Sequence, residues 1–266
     1  MEKALMSYLL FESSPWLLPV VMIVVLGVAI EAPALWGKRL ISGLQVPDSA
    51  WNLIQGGVLT LVAFMLGISF SQSQARFDTR RQLVVTEANA IGTTWLRADQ
   101  LPTRDAQSFR AILTGYAATR LRLYEGLLSR PQLDQALAKS DAAQTELWGI
   151  ASSMLRREPQ NLGRSLLMTT LNDTIDLSAE QLNALTHHVP TAVDGLTLAL
   201  VLLGALLIGF GFARANANVR ILAGVYVIAS IMVITAMVDL DRPQKGLVRV
   251  SLDPLVIQVQ SMEKGP

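Results

Sequence analysis

Few residues in this chain have the type and spacing that chemistry requires. His187 and His188 are the only histidines, and they are adjacent. Neighbours on a helix point in different directions, so the pair suits a solvated helix end better than a metal. Asn172, Asp173 and Asp176 cluster on one helix and could attract a cation, but side chains turned to solvent or to an arginine give the same pattern. The chain has no cysteine, which removes disulfides, cysteine nucleophiles and thiolate metal sites. It has no phosphate-cradling glycine loop, no serine elbow, and no carboxylate pair with an evident basic or histidine partner. The expectation is therefore no catalytic residue, no metal, no cofactor and no enzyme activity.

A second set of residues has a different use. The stretch Gly67-Ile68-Ser69-Phe70-Ser71-Gln72-Ser73-Gln74-Ala75-Arg76 carries polar residues out of an apolar segment. Hydrocarbon offers polar groups no partners, so this stretch either lines water or is the interfacial end of an ordinary helix. Just before it, Thr60, Phe64 and Ile68 are spaced by four and share a helix face. A ring of such residues from several subunits makes a throat that gates by dewetting, although plain helix packing produces the same spacing. Arg76, Arg80 and Arg81 follow, with Asp78 among them and Glu87 further on.

These residues sit in a chain built for lipid. Of 266 residues, 51% are hydrophobic and 16% charged, where soluble domains carry about a quarter charged. The mean hydropathy is +0.39. A net charge of +1 argues against nucleic acid as a partner. Four apolar segments, about 16–36, 51–71, 196–213 and 221–238, are long enough to cross a bilayer. Val28-Ala29-Ile30 is followed by Glu31 and Pro33, with no small-residue cleavage pattern, so the first reads as a span rather than a signal peptide. No charge lies deep in any span, which argues against a proton relay or coupled pump.

Basic residues near span ends set direction. With the N-terminus inside, Lys3, Arg76, Arg80, Arg81, Arg242, Lys245 and Arg249 lie on the cytoplasmic side, against Lys38, Arg39, Arg214 and Arg220 outside. Both termini and the middle domain are therefore expected in the cytoplasm.

The expected fold is an all-α integral membrane protein: four transmembrane helices with a cytoplasmic helical bundle continuous with the second and third spans. Residues 1–71 hold the N-terminal segment and two spans, 72–191 the bundle, 192–238 the last two spans, and 239–266 a cytoplasmic tail. Val84, Ala88, Ile91, Trp95 and Ala98 recur at helical steps with no turn signal before them. One helix thus runs from the membrane to about Gln100. Helices over about 103–128, 129–158 and 162–186 follow, with inner faces led by Phe109, Leu133, Leu147, Leu167 and Leu171.

Four stretches resemble one family. They are Arg76-Phe77-Asp78-Thr79-Arg80-Arg81 with Glu87-Ala88-Asn89-Ala90-Ile91-Gly92, then Leu96-Arg97-Ala98, then Asp239-Leu240-Asp241-Arg242-Pro243-Gln244-Lys245-Gly246. With the four-span layout they resemble the bacterial bestrophin-like domain family, distantly similar to bestrophin ion channels. The resemblance implies a passive ion channel in the bacterial inner (plasma) membrane, built as a homo-oligomer, pentameric in bestrophins, with the second span lining a central pore. It maps the pore constriction to Thr60, Phe64 and Ile68. Thr60 makes that throat less apolar, and the acidic cluster that binds calcium in animal bestrophins has no counterpart. Asn89 and Arg97 are expected to tie neighbouring helices together. Counted from Ile68, Arg76 and Arg80 turn toward the pore and Asp78 away, which favours anions, chloride first. A cation-selective channel of the same architecture and a non-conducting membrane scaffold are the alternatives. Membrane lipid and other copies of the chain are the expected partners.

The basic asymmetry yields a topology test. A cysteine introduced into the 72–191 domain should resist an impermeant thiol reagent applied to intact cells. Rapid labelling from outside would reverse the orientation.

Overall fold

A computed structural model describes residues 16–41, 46–126, 128–186, 191–215, 220–242 and 246–265. His187 and His188 lie outside the described residues. The chain is all-α, as expected. Helix α1 spans Leu17–Ile41 and α2 spans Asp48–Arg97, closed by a 3-10 turn at Ala98–Gln100. Then come α3 (Thr103–Tyr124), α4 (Arg130–Arg157), α5 (Leu162–Thr186), α6 (Thr191–Ala215), α7 (Arg220–Asp241) and α8 (Asp253–Lys264). Four of these, α1, α2, α6 and α7, are long and apolar enough to cross a membrane. This is a membrane protein.

The described residues form two compact units that share α2. The first contains α1, the N-terminal part of α2, α6 and α7. Its core is apolar: Leu26, Ile30, Val62, Val201, Ala205 and Ile234 are all buried. Helices whose surroundings are as apolar as themselves gain little from hydrophobicity and pack through small residues. Gly209 on α6 shows this directly, because a methyl there would land on the backbone oxygen of Ile30. Gly204 makes room for Tyr226, whose hydroxyl donates to the Val201 carbonyl at 2.7 Å. Helix α1 continues through Pro33, past the expected end of the first span. A membrane helix tolerates such a proline when neighbours satisfy the freed backbone groups. Arg220, the first residue of α7, donates to both carboxylate oxygens of Glu31 on α1.

The second unit holds the rest of α2 with α3, α4, α5 and α8. Val84, Ala88, Ile91 and Trp95 of α2 enter its core with Phe109, Leu113, Leu147, Leu167, Leu171 and Leu255. Leu133, expected inside, is instead exposed, since it lies in the first turn of α4 before the helix meets its neighbours. Ser129 and Gln132 form a capping box, and Pro131 occupies the first turn, so α4 starts where its sequence dictates. Gly92 is matched to α8: a Cβ there would collide with the Gln258 amide.

Gly209→Ala should cost about 3 kcal/mol, the upper end for overpacking, because the obstacle is backbone that cannot rotate away. Gly27→Ala, where a Cβ meets nothing, is the control. Thermal unfolding in detergent should separate the two variants, and equal melting temperatures would refute the α1–α6 contact.

Candidate functional site

Helix α2 presents a sharply divided surface. Leu53, Gly57, Thr60, Phe64, Ser71, Ala75, Asp78, Gln82, Asn89 and Thr93 are all exposed. At about 100° per residue they fall within roughly 40° of the direction of Phe64. The opposite line holds Val62, Leu66, Ser69, Ser73, Arg80, Val84, Glu87, Ile91 and Thr94, and every one is buried. The helix is continuous from Asp48 to Arg97, without a break between residues 72 and 82.

The division settles the polar stretch that emerges from the span. Ser69 and Ser73 point inward, and Ser69 pairs with Thr197 of α6 at 2.9 Å. Ser71 and Gln72 face outward. Within the stretch, Ser69 ties two helices together, while Ser71 and Gln72 are open.

Of the expected constriction residues, Phe64 is 63% exposed and Thr60 is exposed. The Thr60 hydroxyl donates back to the Gly56 carbonyl at 2.9 Å, so it spends its proton on its own helix. Ile68 is half-buried at the edge of the face. Arg76 is half-buried, and Arg80 is only 2% exposed. The structure therefore does not bring Arg76 and Arg80 together on the open face. The expectation measured directions from Ile68, which already sits about 40° off the centre of that face. Measured from Phe64, Arg80 is about 160° away and Asp78 about 40°.

In the second unit the open face of α2 borders a groove against α5. Thr86, Asn89 and Thr93 form one wall; Asp173, Asp176 and Glu180 are on the other. Its lining has three carboxylates and no basic side chain. Asn172 donates to Asp176 at 2.8 Å, so these two members of the sequence cluster satisfy each other. Asn89 lines this groove and does not reach a neighbouring helix through any described bond. Arg97 does: its Nη1 donates to the Leu166 carbonyl of α5 at 2.9 Å.

The structure also contains a buried network that the sequence reading missed. Glu87 is fully buried and accepts from Arg120 Nε at 2.8 Å. The Tyr124 hydroxyl donates to its other oxygen at 2.6 Å, and Arg120 also donates to Tyr124. Arg120 Nη2 reaches the Ser178 carbonyl at 3.0 Å, and Gln144 joins the Ser178 hydroxyl at 2.8 Å. Helices α2, α3, α4 and α5 thus meet at one knot. Burial alone would pull the Arg120 guanidinium down; Glu87 beside it more than offsets this and holds it above its ordinary value. Burial, then the charge of Glu87, pushes the Tyr124 phenol far up, so it remains a donor. The signal was present: Glu87 lies between Val84 and Ile91 on the core face, where a carboxylate demands a buried partner.

The Bestrophin-like domain family matches residues 25–255. The chain belongs to the bestrophin-like domain family. Crystal structures of a bacterial bestrophin homologue from Klebsiella pneumoniae share its fold. One, of a point variant, has a TM-score of 0.63 at 19% identity, covering 95% of this chain and 97% of that one. Another, solved by zinc phasing, has a TM-score of 0.62 at 18% identity, covering 93% and 95%. A further variant gives 0.64 at 17% identity, covering 94% of each. At such identities the likeness is one of fold. No curated protein matches the chain in sequence.

Arg120→Met should leave Glu87 buried with Tyr124 as its remaining partner in the knot, at a cost of about 3–5 kcal/mol. Pairing it with Glu87→Leu should recover most of that loss. Thermal unfolding of the two single variants and the double variant measures the coupling. Additive losses would show that the pair is not the knot.

Proposed function

We propose that the protein is a passive ion channel, formed by a homo-oligomer in the bacterial plasma membrane, with the open face of α2 lining the pore and both termini in the cytoplasm. Five copies is the number that the family resemblance implies. The observation that carries this reading is the uncovered stripe along α2. A 50-residue helix that buries one line of side chains and exposes the opposite one, through span and bundle alike, needs something other than its own chain to face. Water and permeating ions fit a stripe of Gly57, Thr60, Ser71 and Gln82 better than lipid does.

Within that stripe Phe64, flanked by Thr60 and Ile68, is the bulkiest side chain and forms the constriction. Asp78 is the one ionisable residue within about 40° of its direction, and it is exposed. The acidic groove of Asp173, Asp176 and Glu180 adds charge of the same sign beside the lower part of the face. The reading is therefore a cation-conducting channel. The anion preference expected from Arg76 and Arg80 loses its second arginine to the interior.

Purified protein in planar bilayers under asymmetric potassium chloride tests this. The current should reverse near the potassium equilibrium potential. Reversal near the chloride value would replace the cation reading by the anion one, and silence from intact oligomer would favour a scaffold. Asp78→Asn should lower the potassium preference about fivefold, since a unit charge a few ångströms from a hydrated ion contributes roughly 1 kcal/mol. Phe64→Ala should raise the current while leaving the reversal potential in place.

A further inference from the structure

A cavity of about 440 Å³ opens at the N-terminal end of α2, within the first unit. It lies where three spans end, those of α2, α6 and α7. Its lining is mixed: Asp48, Asn52, Gln55 and Arg214 are polar or charged, and Ile208, Phe212 and Leu222 are apolar.

The polar groups are already organised. Arg214 Nη2 donates to Asp48 at 2.6 Å and to the Val46 carbonyl at 2.8 Å. The guanidinium lies over the Trp51 ring, 5.3 Å from its centre, and Trp51 donates to Gln55 at 3.0 Å. Both Arg214 bonds use one nitrogen of a group with five N–H donors, so Nε and Nη1 remain for a ligand. The Arg214 side chain is 18% exposed and that of Asp48 90%, so the cation is held in the wall while the carboxylate stands at the mouth. The floor at Gly211 is bare backbone facing Gln55 and Trp51.

We infer that this cavity binds the amine-and-phosphate head of a membrane phospholipid of the phosphatidylethanolamine type. Arg214 and Asn52 take the phosphate, Asp48 takes the ammonium, and Ile208 and Phe212 take the first methylenes of the chains. A recessed arginine with an aspartate at the rim has no net charge, which matches a head bearing both signs and disfavours one that is only anionic. The tryptophan fits the interfacial depth at which a head group lies. Gln55 is nine residues before Phe64, about 180° around α2, so the cavity does not open on the stripe proposed to line the pore. The inference stands without the channel reading, and its test needs no current.

Delipidated protein in detergent, titrated with dioleoyl phosphatidylethanolamine and with dioleoyl phosphatidylglycerol, is followed by native mass spectrometry. The first lipid should bind about tenfold more tightly. Asp48→Asn, at an exposed position, should remove most of that preference while keeping the parent melting temperature, and Gly211→Leu, which fills the floor, should weaken both lipids. If Gly211→Leu does not assemble, Asp48→Asn decides. Equal binding of the two lipids by the parent, or a preference unchanged by Asp48→Asn, would overturn the site. Displacement of the lipid by millimolar soluble phosphoethanolamine would overturn the assignment to a lipid rather than a free solute.

Discussion

Everything here depends on how one helix divides its surface. Helix α2 is 50 residues long and enters two different cores along a single line of side chains. In the first unit that line is Val62, Leu66 and Ser69; in the second it is Arg80, Val84, Glu87, Ile91 and Thr94. The spacing keeps to about 3.6 residues per turn throughout, so the line does not drift around the helix. What changes is the means of attachment. In the span, small hydroxyls such as Ser69 pair with Thr197 where hydrophobicity gives little grip. In the bundle, apolar burial takes over and is locked by Glu87 with Arg120. The same phase on one side leaves the other side open from Leu53 to Leu96.

Most of the architecture was legible because the relevant signals are local. Four apolar segments, the period from Val84 to Ala98, and Ser129 with Pro131 each fix an element without reference to the rest of the chain. The continuity of α2 was legible for the same reason, since nothing between residues 72 and 82 breaks a helix. Directions around the helix were harder. Thr60, Phe64 and Ile68 are equivalent by spacing, yet only the structure shows that Ile68 is at the edge and Phe64 near the centre. A 40° error in origin was enough to exchange Arg80 for Asp78. Spacing gives relative angles only; the absolute origin comes from the neighbouring helices.

The buried network was missed for a related reason. Glu87 and Arg120 are 33 residues apart, on different helices, and no local pattern links them. The readable part was negative: a carboxylate at a core position of α2, and an arginine among Tyr116, Ala117 and Tyr124 of α3. Each alone resembles a surface charge that has strayed. Together they are a pair, because an isolated buried charge costs far more than a paired one. Arg97 donates to the Leu166 carbonyl of α5, whereas Asn89 lies on the open face and makes no described bond to a neighbouring helix.

The division of α2 also limits how the proposed pore can change state. Turning the span to hide Phe64 would drag Ser69 away from Thr197 and swing Val62 and Leu66 out of their core. Exposing two such buried side chains costs several kcal/mol. Against that stands the smaller cost of moving an exposed aromatic side chain between rotamers, a matter of about 1 kcal/mol. On the channel reading, the constriction therefore opens by reorienting Phe64 on a fixed helix, with the buried line as the frame against which it moves. Water gains entry to the apolar throat when the rings swing aside, and the stripe of Ser71, Ala75, Asp78 and Gln82 below stays in place throughout.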